Sequence, residues 1–406
     1  MRILDLAQML PGGLCSQILA DLGAEVIKIE NPGGGDGFRN SPPLIGTSGS
    51  FFHILNRNKK SLTLNIKTGK GREIFRRLAS RADVIIENAR PGTMEKIGLG
   101  YEEMRCLNSR LIYCSLTGFG QTGPYRHRPA HDINILSISG IHDLLGESGR
   151  SPIVPAVMIS GAGGGGLNAA LGILSSLLRR ERTGAGQYLD VSILDGLSPF
   201  MALMMSEYLA QRIDPVRGES RLGGGYACYN VYETRDGKFI SIGCLEEKFW
   251  QELCSCLGRE EFRPNLNAPR ARQAEMIDEF RRIFRQKDRR DWLEILDRYD
   301  ICFSPVNSLG GLRGPPDPGA ATLVLHPPSF GRFRSPAGIS HQVFRRSTRA
   351  AGPATASWSA YRGNFERAGI FGRRSRRTEV TRDHLRARPL PLDKTIAKAG
   401  TDTAST

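Results

Sequence analysis

The hydrophobic pattern of this chain changes texture twice. Up to about residue 210, short apolar runs with period two alternate with stretches of helical period. Arg2 to Leu6 is strand-like, Leu14 to Leu22 is helical and stopped by Gly23, and Glu25-Val26-Ile27-Lys28-Ile29-Glu30 alternates as a strand should. Further strands are expected at Leu62–Ile66, Val84–Ile86, Leu111–Ser115 and Tyr188–Ser192, with helices at Glu73–Ser80 and Leu167–Arg180. Strand and helix in alternation predict an α/β fold, a mostly parallel sheet with helices on both faces.

From about 220 to 310 the pattern differs. Two strand-like runs, Tyr229–Glu233 and Lys238–Gly243, flank Arg235-Asp236-Gly237, a hairpin signal. The amphipathic stretches Glu275–Phe284 and Arg290–Leu296 follow, so a smaller α+β domain is expected at 220–310 beside a large domain at 1–210. From Gly311 to Thr406 periodicity fades into an aberrant tail rich in Arg, Pro, Gly, Ala and Ser, the composition of a partly disordered segment. A shifted reading frame in GC-rich coding sequence gives the same bias, and an unbroken frame on resequencing would exclude it.

The net charge of +15 invites a nucleic-acid reading. That tail, however, carries 17 Lys and Arg against 6 Asp and Glu, a surplus of 11 that leaves only +4 on the first 310 residues. No nucleic-acid partner is therefore expected. No apolar run reaches the ~18–20 residues of a membrane span. Eight scattered cysteines read as free thiols in a reducing cytoplasm. Cys254 and Cys256, two apart on a helix, face different ways and are not expected to hold a metal.

Candidate chemistry concentrates between His131 and Gly166. Arg128-Pro129-Ala130-His131-Asp132-Ile133-Asn134 follows a long glycine-rich loop, Thr117–Pro124, and such loops build sites more often than cores. An imidazole can take a proton from a carbon next to a carbonyl. The run Gly161-Ala162-Gly163-Gly164-Gly165-Gly166 reads either as donors for an oxyanion or as a flexible turn. From Ser148 to Arg180 there is no Asp, Glu or His to act opposite the histidine. Arg57, Lys59, Lys60, Lys67, Arg90 and Lys96 are candidates for phosphate contacts. A dinucleotide site is the rival reading, with Glu30 where a ribose-binding acid would sit. But the first turn, Gln8-Met9-Leu10-Pro11-Gly12-Gly13-Leu14, lacks the GxGxxG pattern.

Taken jointly, several segments resemble the family III CoA-transferase and α-methylacyl-CoA racemase superfamily over roughly residues 1–310. They are Leu4-Asp5-Leu6 with Pro11-Gly12, Ala20–Glu30, Asn56–Leu62, Ala82–Gly92, Leu116–Pro124 and Arg182–Gln187. The resemblance implies a Rossmann-like large domain plus a small domain, and two chains interlocked as a homodimer. It implies an acyl-CoA substrate and no separate cofactor, the CoA thioester being itself the substrate. His131-Asp132-Ile133-Asn134 looks like the racemase branch, in which His131 is one of two bases exchanging the α-proton of a 2-methylacyl-CoA and Glu246 supports it. CoA contacts are carried over to Leu64, Asn65, Lys67, Asn88, Arg90 and Lys96, and to the loop holding Ala130, Asp132 and Asn134. The superfamily's catalytic aspartate, second base in racemases and nucleophile in transferases, falls on Gly161. The expectation is thus an acyl-CoA racemase with impaired chemistry, against a CoA transferase or a non-catalytic acyl-CoA binder.

Overall fold

The computed structural model describes residues 1–310, and the expected tail from Gly311 onward lies outside the described residues. Six strands form one parallel sheet: β1 (Arg2–Asp5), β2 (Glu25–Glu30), β3 (Lys59–Thr63), β4 (Val84–Glu87), β5 (Ile112–Thr117) and β6 (Gln187–Ser192), in the order β3-β2-β1-β4-β5-β6. The order reverses beside β1, so the carboxyl ends of β1 and β4 flank the crevice in which open α/β sheets bind ligands.

Helices cover both faces. On one, α1 (Met9–Asp21) and α5 (Asn168–Thr183) bury Cys15, Leu19, Ala169, Ile173 and Leu177 against Ile3, Val84, Ile112 and Cys114. On the other, α2 (Gly69–Ala79) and α3 (Tyr101–Leu107) contribute Phe75, Ala79 and Met104 against Leu4, Ile85 and Tyr113. Thr68 caps α2, its Oγ1 accepting from Gly71 N–H at 3.1 Å, and Gly184, at φ +74°, ends α5.

Beneath the first helix lies a buried ion network. Lys28 Nζ is 2.9 Å from Asp36, and Lys59 Nζ is 3.2 Å from Asp5 and 2.7 Å from Ser16 Oγ. Burial pulls the Lys59 ammonium below its ordinary value, and Asp5 opposes that pull. Buried charges persist only when paired in this way.

A second core lies on an antiparallel sheet, β9-β8-β7, made of β7 (Tyr229–Glu233), β8 (Phe239–Gly243) and β9 (Phe303–Pro305). Helices α7 (Glu247–Cys256), α8 (Arg270–Phe284) and α9 (Arg289–Leu296) pack on one face, where Tyr232 stacks on Phe284 at 4.9 Å and Trp250 meets Phe280. The opposite face, with Tyr229, Val231 and Ser241, lines a groove of about 910 Å³. Its other wall is formed by Ile141, Leu144, Phe200 and Met204, the last on α6 (Ala202–Gln211).

Several expected elements shift. β3 occupies Lys59–Thr63 rather than Leu62–Ile66, because Asn65 Oδ1 folds back to accept from Lys67 N–H and turns the chain toward α2. The glycine run is not a loop. Ser160–Leu167 is a π-helical stretch that continues into α5. A Cβ at Gly164 would stand 2.5 Å from Ile193 O, and one at Gly166 2.9 Å from Pro11 O. These glycines serve close packing against α1 and the loop after β6, which periodicity cannot reveal.

Candidate active site

All six large-sheet strands being parallel, their carboxyl ends share one edge, and nearly every expected site residue follows one of them. Leu64, Asn65 and Lys67 follow β3; Asn88, Arg90 and Lys96 follow β4; Ala130, His131, Asp132 and Asn134 follow the loop after β5. The turn after β1 is tied to the turn after β4 by a reciprocal pair. Gln8 N–H donates to Asn88 Oδ1 at 3.0 Å, and Asn88 Nδ2 donates to Gln8 O at 2.8 Å. Next to it, Met9 adopts the left-handed region at φ 62° and its N–H donates to Asp36 at 3.2 Å. Backbone held in that region by its surroundings is a mark of functional turns. Nothing in the sequence marks Gln8 and Met9, where only the following Pro-Gly-Gly stands out.

His131 is the N-cap of α4 (Asp132–Ile138) and is exposed. Its N–H donates to Asn134 Oδ1 at 2.9 Å, and Asn134 N–H donates back to His131 O at 3.0 Å, so Asn134 fixes the backbone that presents the imidazole. The Asp132 side chain turns inward. Its Oδ1 accepts from Gly161 N–H at 2.6 Å, while Ser160 Oγ donates to Asp132 O at 3.0 Å. Position 161 is therefore joined directly to the histidine loop. A Cβ built there would meet Leu10 Cδ2 at 3.2 Å, with Asp132 Oδ1 and Pro11 Cγ at 3.4 Å. Gly161 thus sits between the β1–α1 turn and α4, at the mouth of the switch-point crevice.

Glu246 is the exposed N-cap of α7, and among the described residues no hydrogen bond joins it to His131. Two of the candidate phosphate ligands are withdrawn. Lys59 is buried in the ion network and Arg57 pairs with Asp21. Lys67, Arg90 and Lys96 remain exposed along the strand ends, and Lys60 is exposed as well, 2.8 Å from Glu25. The rival dinucleotide reading loses its acid, since Glu30 is buried, accepts Arg39 through two 2.6 Å bonds, and takes one more from Ser61 Oγ. Burial pushes its pKa up, but these donors outweigh that and hold it at about 2.

One titratable group has no signal in the sequence. Glu87, at the end of β4, is buried; burial raises its carboxyl to about 7 against the opposing bonds from Ser115 and from Ala89 N–H at 2.7 Å. It anchors the turn carrying Asn88 and Arg90. No group of three or more His, Cys, Asp or Glu placed to hold a metal occurs among the described residues.

An open parallel sheet of this order, with a histidine-bearing loop and a glycine π-helix meeting at its switch point, defines an α/β ligand-binding enzyme scaffold. The chain belongs to CoA-transferase family III, whose family model matches residues 1–328. It is 36% identical over 305 residues to the α-methylacyl-CoA racemase of Mus musculus, covering 75% of this chain and 76% of that protein. It is 34% identical over 315 residues to the succinyl-CoA:glutarate CoA-transferase of the same species, covering 76% and 71%. A crystal structure of a CAIB/BAIF family protein from Brucella suis matches with a TM-score of 0.68 at 35% identity, covering 77% of this chain and 84% of that one. The expected family and α/β fold are thereby established, and both racemases and transferases stand among the relatives.

Proposed function

We propose that this protein is an acyl-CoA racemase or epimerase that exchanges the α-proton of 2-methylacyl-CoA thioesters, with chemistry weakened by Gly161. The observation that carries the reading is His131, presented at the N-cap of α4 by the Asn134 exchange and joined through Asp132 to position 161. An imidazole there can remove the α-proton, and backbone N–H groups can stabilise the enolate oxygen. Lys67, Arg90 and Lys96 supply charge for the nucleotide end of CoA, and no cofactor is required. The test is incubation with a 2-methylacyl-CoA in deuterated water. Incorporation of α-deuterium above background supports the reading, and none sinks it.

Transfer of CoA between carboxylic acids is the second reading, favoured by the relatives that are named as transferases. It needs a carboxylate nucleophile, which a glycine cannot supply. Hydroxylamine should therefore trap no anhydride. A non-catalytic acyl-CoA binder would show heat of binding without exchange.

The exposure of Glu246, with no hydrogen bond to His131 among the described residues, fits a site completed by a second copy, with Glu246 reaching the histidine across a homodimer. The apolar ridge Leu167, Leu171 and Leu178 along the outside of α5, all more than half exposed, would be covered by that copy. Eight free thiols fit the cytoplasm.

A further inference from the structure

With no side chain at position 161, the chemistry opposite His131 must come from elsewhere or be lost. The nearest carboxylate is Asp132. Its Oδ1 lies 2.6 Å from Gly161 N and 3.4 Å from the point where a Cβ of residue 161 would stand. An aspartate at 161 would place its carboxylate oxygens only two bonds beyond that Cβ, so the Asp132 carboxylate borders the volume they would occupy. Asp132 is half-buried and turned toward this space, whereas His131, its chain neighbour, is exposed. Gly161 N–H engages Oδ1, and no hydrogen bond to Oδ2 is formed among the described residues.

We propose that Asp132 is the second acid/base of this protein, standing in for the side chain that Gly161 lacks. The proposal rests on the racemase reading above. In one direction the Asp132 carboxylate takes the α-proton, the C–H electrons move into the enolate with charge on the thioester oxygen, and the His131 imidazolium delivers a proton to the opposite face. The reverse direction exchanges the two roles, and atoms and charge balance without a further reactant. Each base then serves one enantiomer.

That division gives the test. The two enantiomers of a 2-methylacyl-CoA are incubated separately in deuterated water with the wild-type protein and with Asp132→Asn, whose side-chain oxygen can still accept from Gly161 N–H. Deuterium incorporation from one enantiomer should fall by about 100-fold or more, the scale of a lost general base. Incorporation from the other should persist through His131, and interconversion should cease. Placing Gly161→Asp in the Asp132→Asn background should restore the missing enantiomer's exchange. An equal loss from both enantiomers, or no loss, overturns the role of Asp132 while leaving the racemase reading standing. Absence of incorporation by the wild type overturns both.

Discussion

Gly161 occupies a site that tolerates a side chain. The atoms nearest to an added Cβ are the ends of the Leu10 and Pro11 side chains and the Asp132 carboxylate, at 3.2–3.4 Å, so a small shift of Leu10 admits a Cβ. In the Asp132→Asn background, Gly161→Asp is expected to raise the racemization rate by about 10²–10⁴-fold, the usual worth of a placed general base, measured as interconversion of the two 2-methylacyl-CoA enantiomers. No gain in that background would mean that the rest of the site is out of place. Glu87 predicts a pH dependence of stability. Its folded pKa of about 7 lies above the ordinary value of 4.5, so the fold binds this proton more tightly than the unfolded chain does. The contribution is complete below pH 4.5 and is lost as pH rises to about 7, by up to about 3 kcal/mol. Glu87→Gln should flatten that stretch of the denaturation profile and stabilise the protein at pH 8. At this scale the sequence pointed to His131, because a histidine after a glycine-rich loop stands out, and to Asp132 only through the family resemblance. It did not disclose Glu87, whose importance comes from the apolar strands around it.

Among the elements, the π-helical stretch is where sequence and structure diverge. Glycine in series is equally compatible with a turn and with a helix pressed against backbone, and only the positions of Pro11 O and Ile193 O decide. Gly164→Ala should therefore destabilise the fold by about 1–3 kcal/mol, as overpacking does. It would be seen as a lower denaturation midpoint with the exchange chemistry of the surviving folded fraction unchanged. The strands were legible because β4 and β5 are apolar runs and β2 alternates apolar with charged residues, each bounded by turn residues. The start of α1 was not: the chain enters it at Met9, well before the periodic stretch from Leu14, through a backbone conformation that no pattern encodes.

For the whole molecule, the parallel architecture followed from alternation, but the strand order did not, since pairing depends on contacts far apart in the chain. Nor could the sequence tell which basic residues the fold would consume. Arg57 and Lys59 look like phosphate ligands until their ion pairs with Asp21 and Asp5 are seen. The ridge along α5 predicts self-association. Leu171→Glu with Leu178→Glu should convert a dimer into a monomer by sedimentation analysis, because both leucines are largely exposed on the single chain. If the doubly charged protein sediments as the wild type does, the ridge is not the interface.

The looseness at position 161 also bears on descent. Of the five glycines in the run, it is the one where an added carbon meets the least crowding, and its neighbours there are side-chain ends rather than backbone. Glycine and aspartate codons that end in a pyrimidine differ by a single base. A lineage that lost the carboxylate here would keep the packing on both sides undisturbed, and one transition in the gene could bring the carboxylate back without any compensating change.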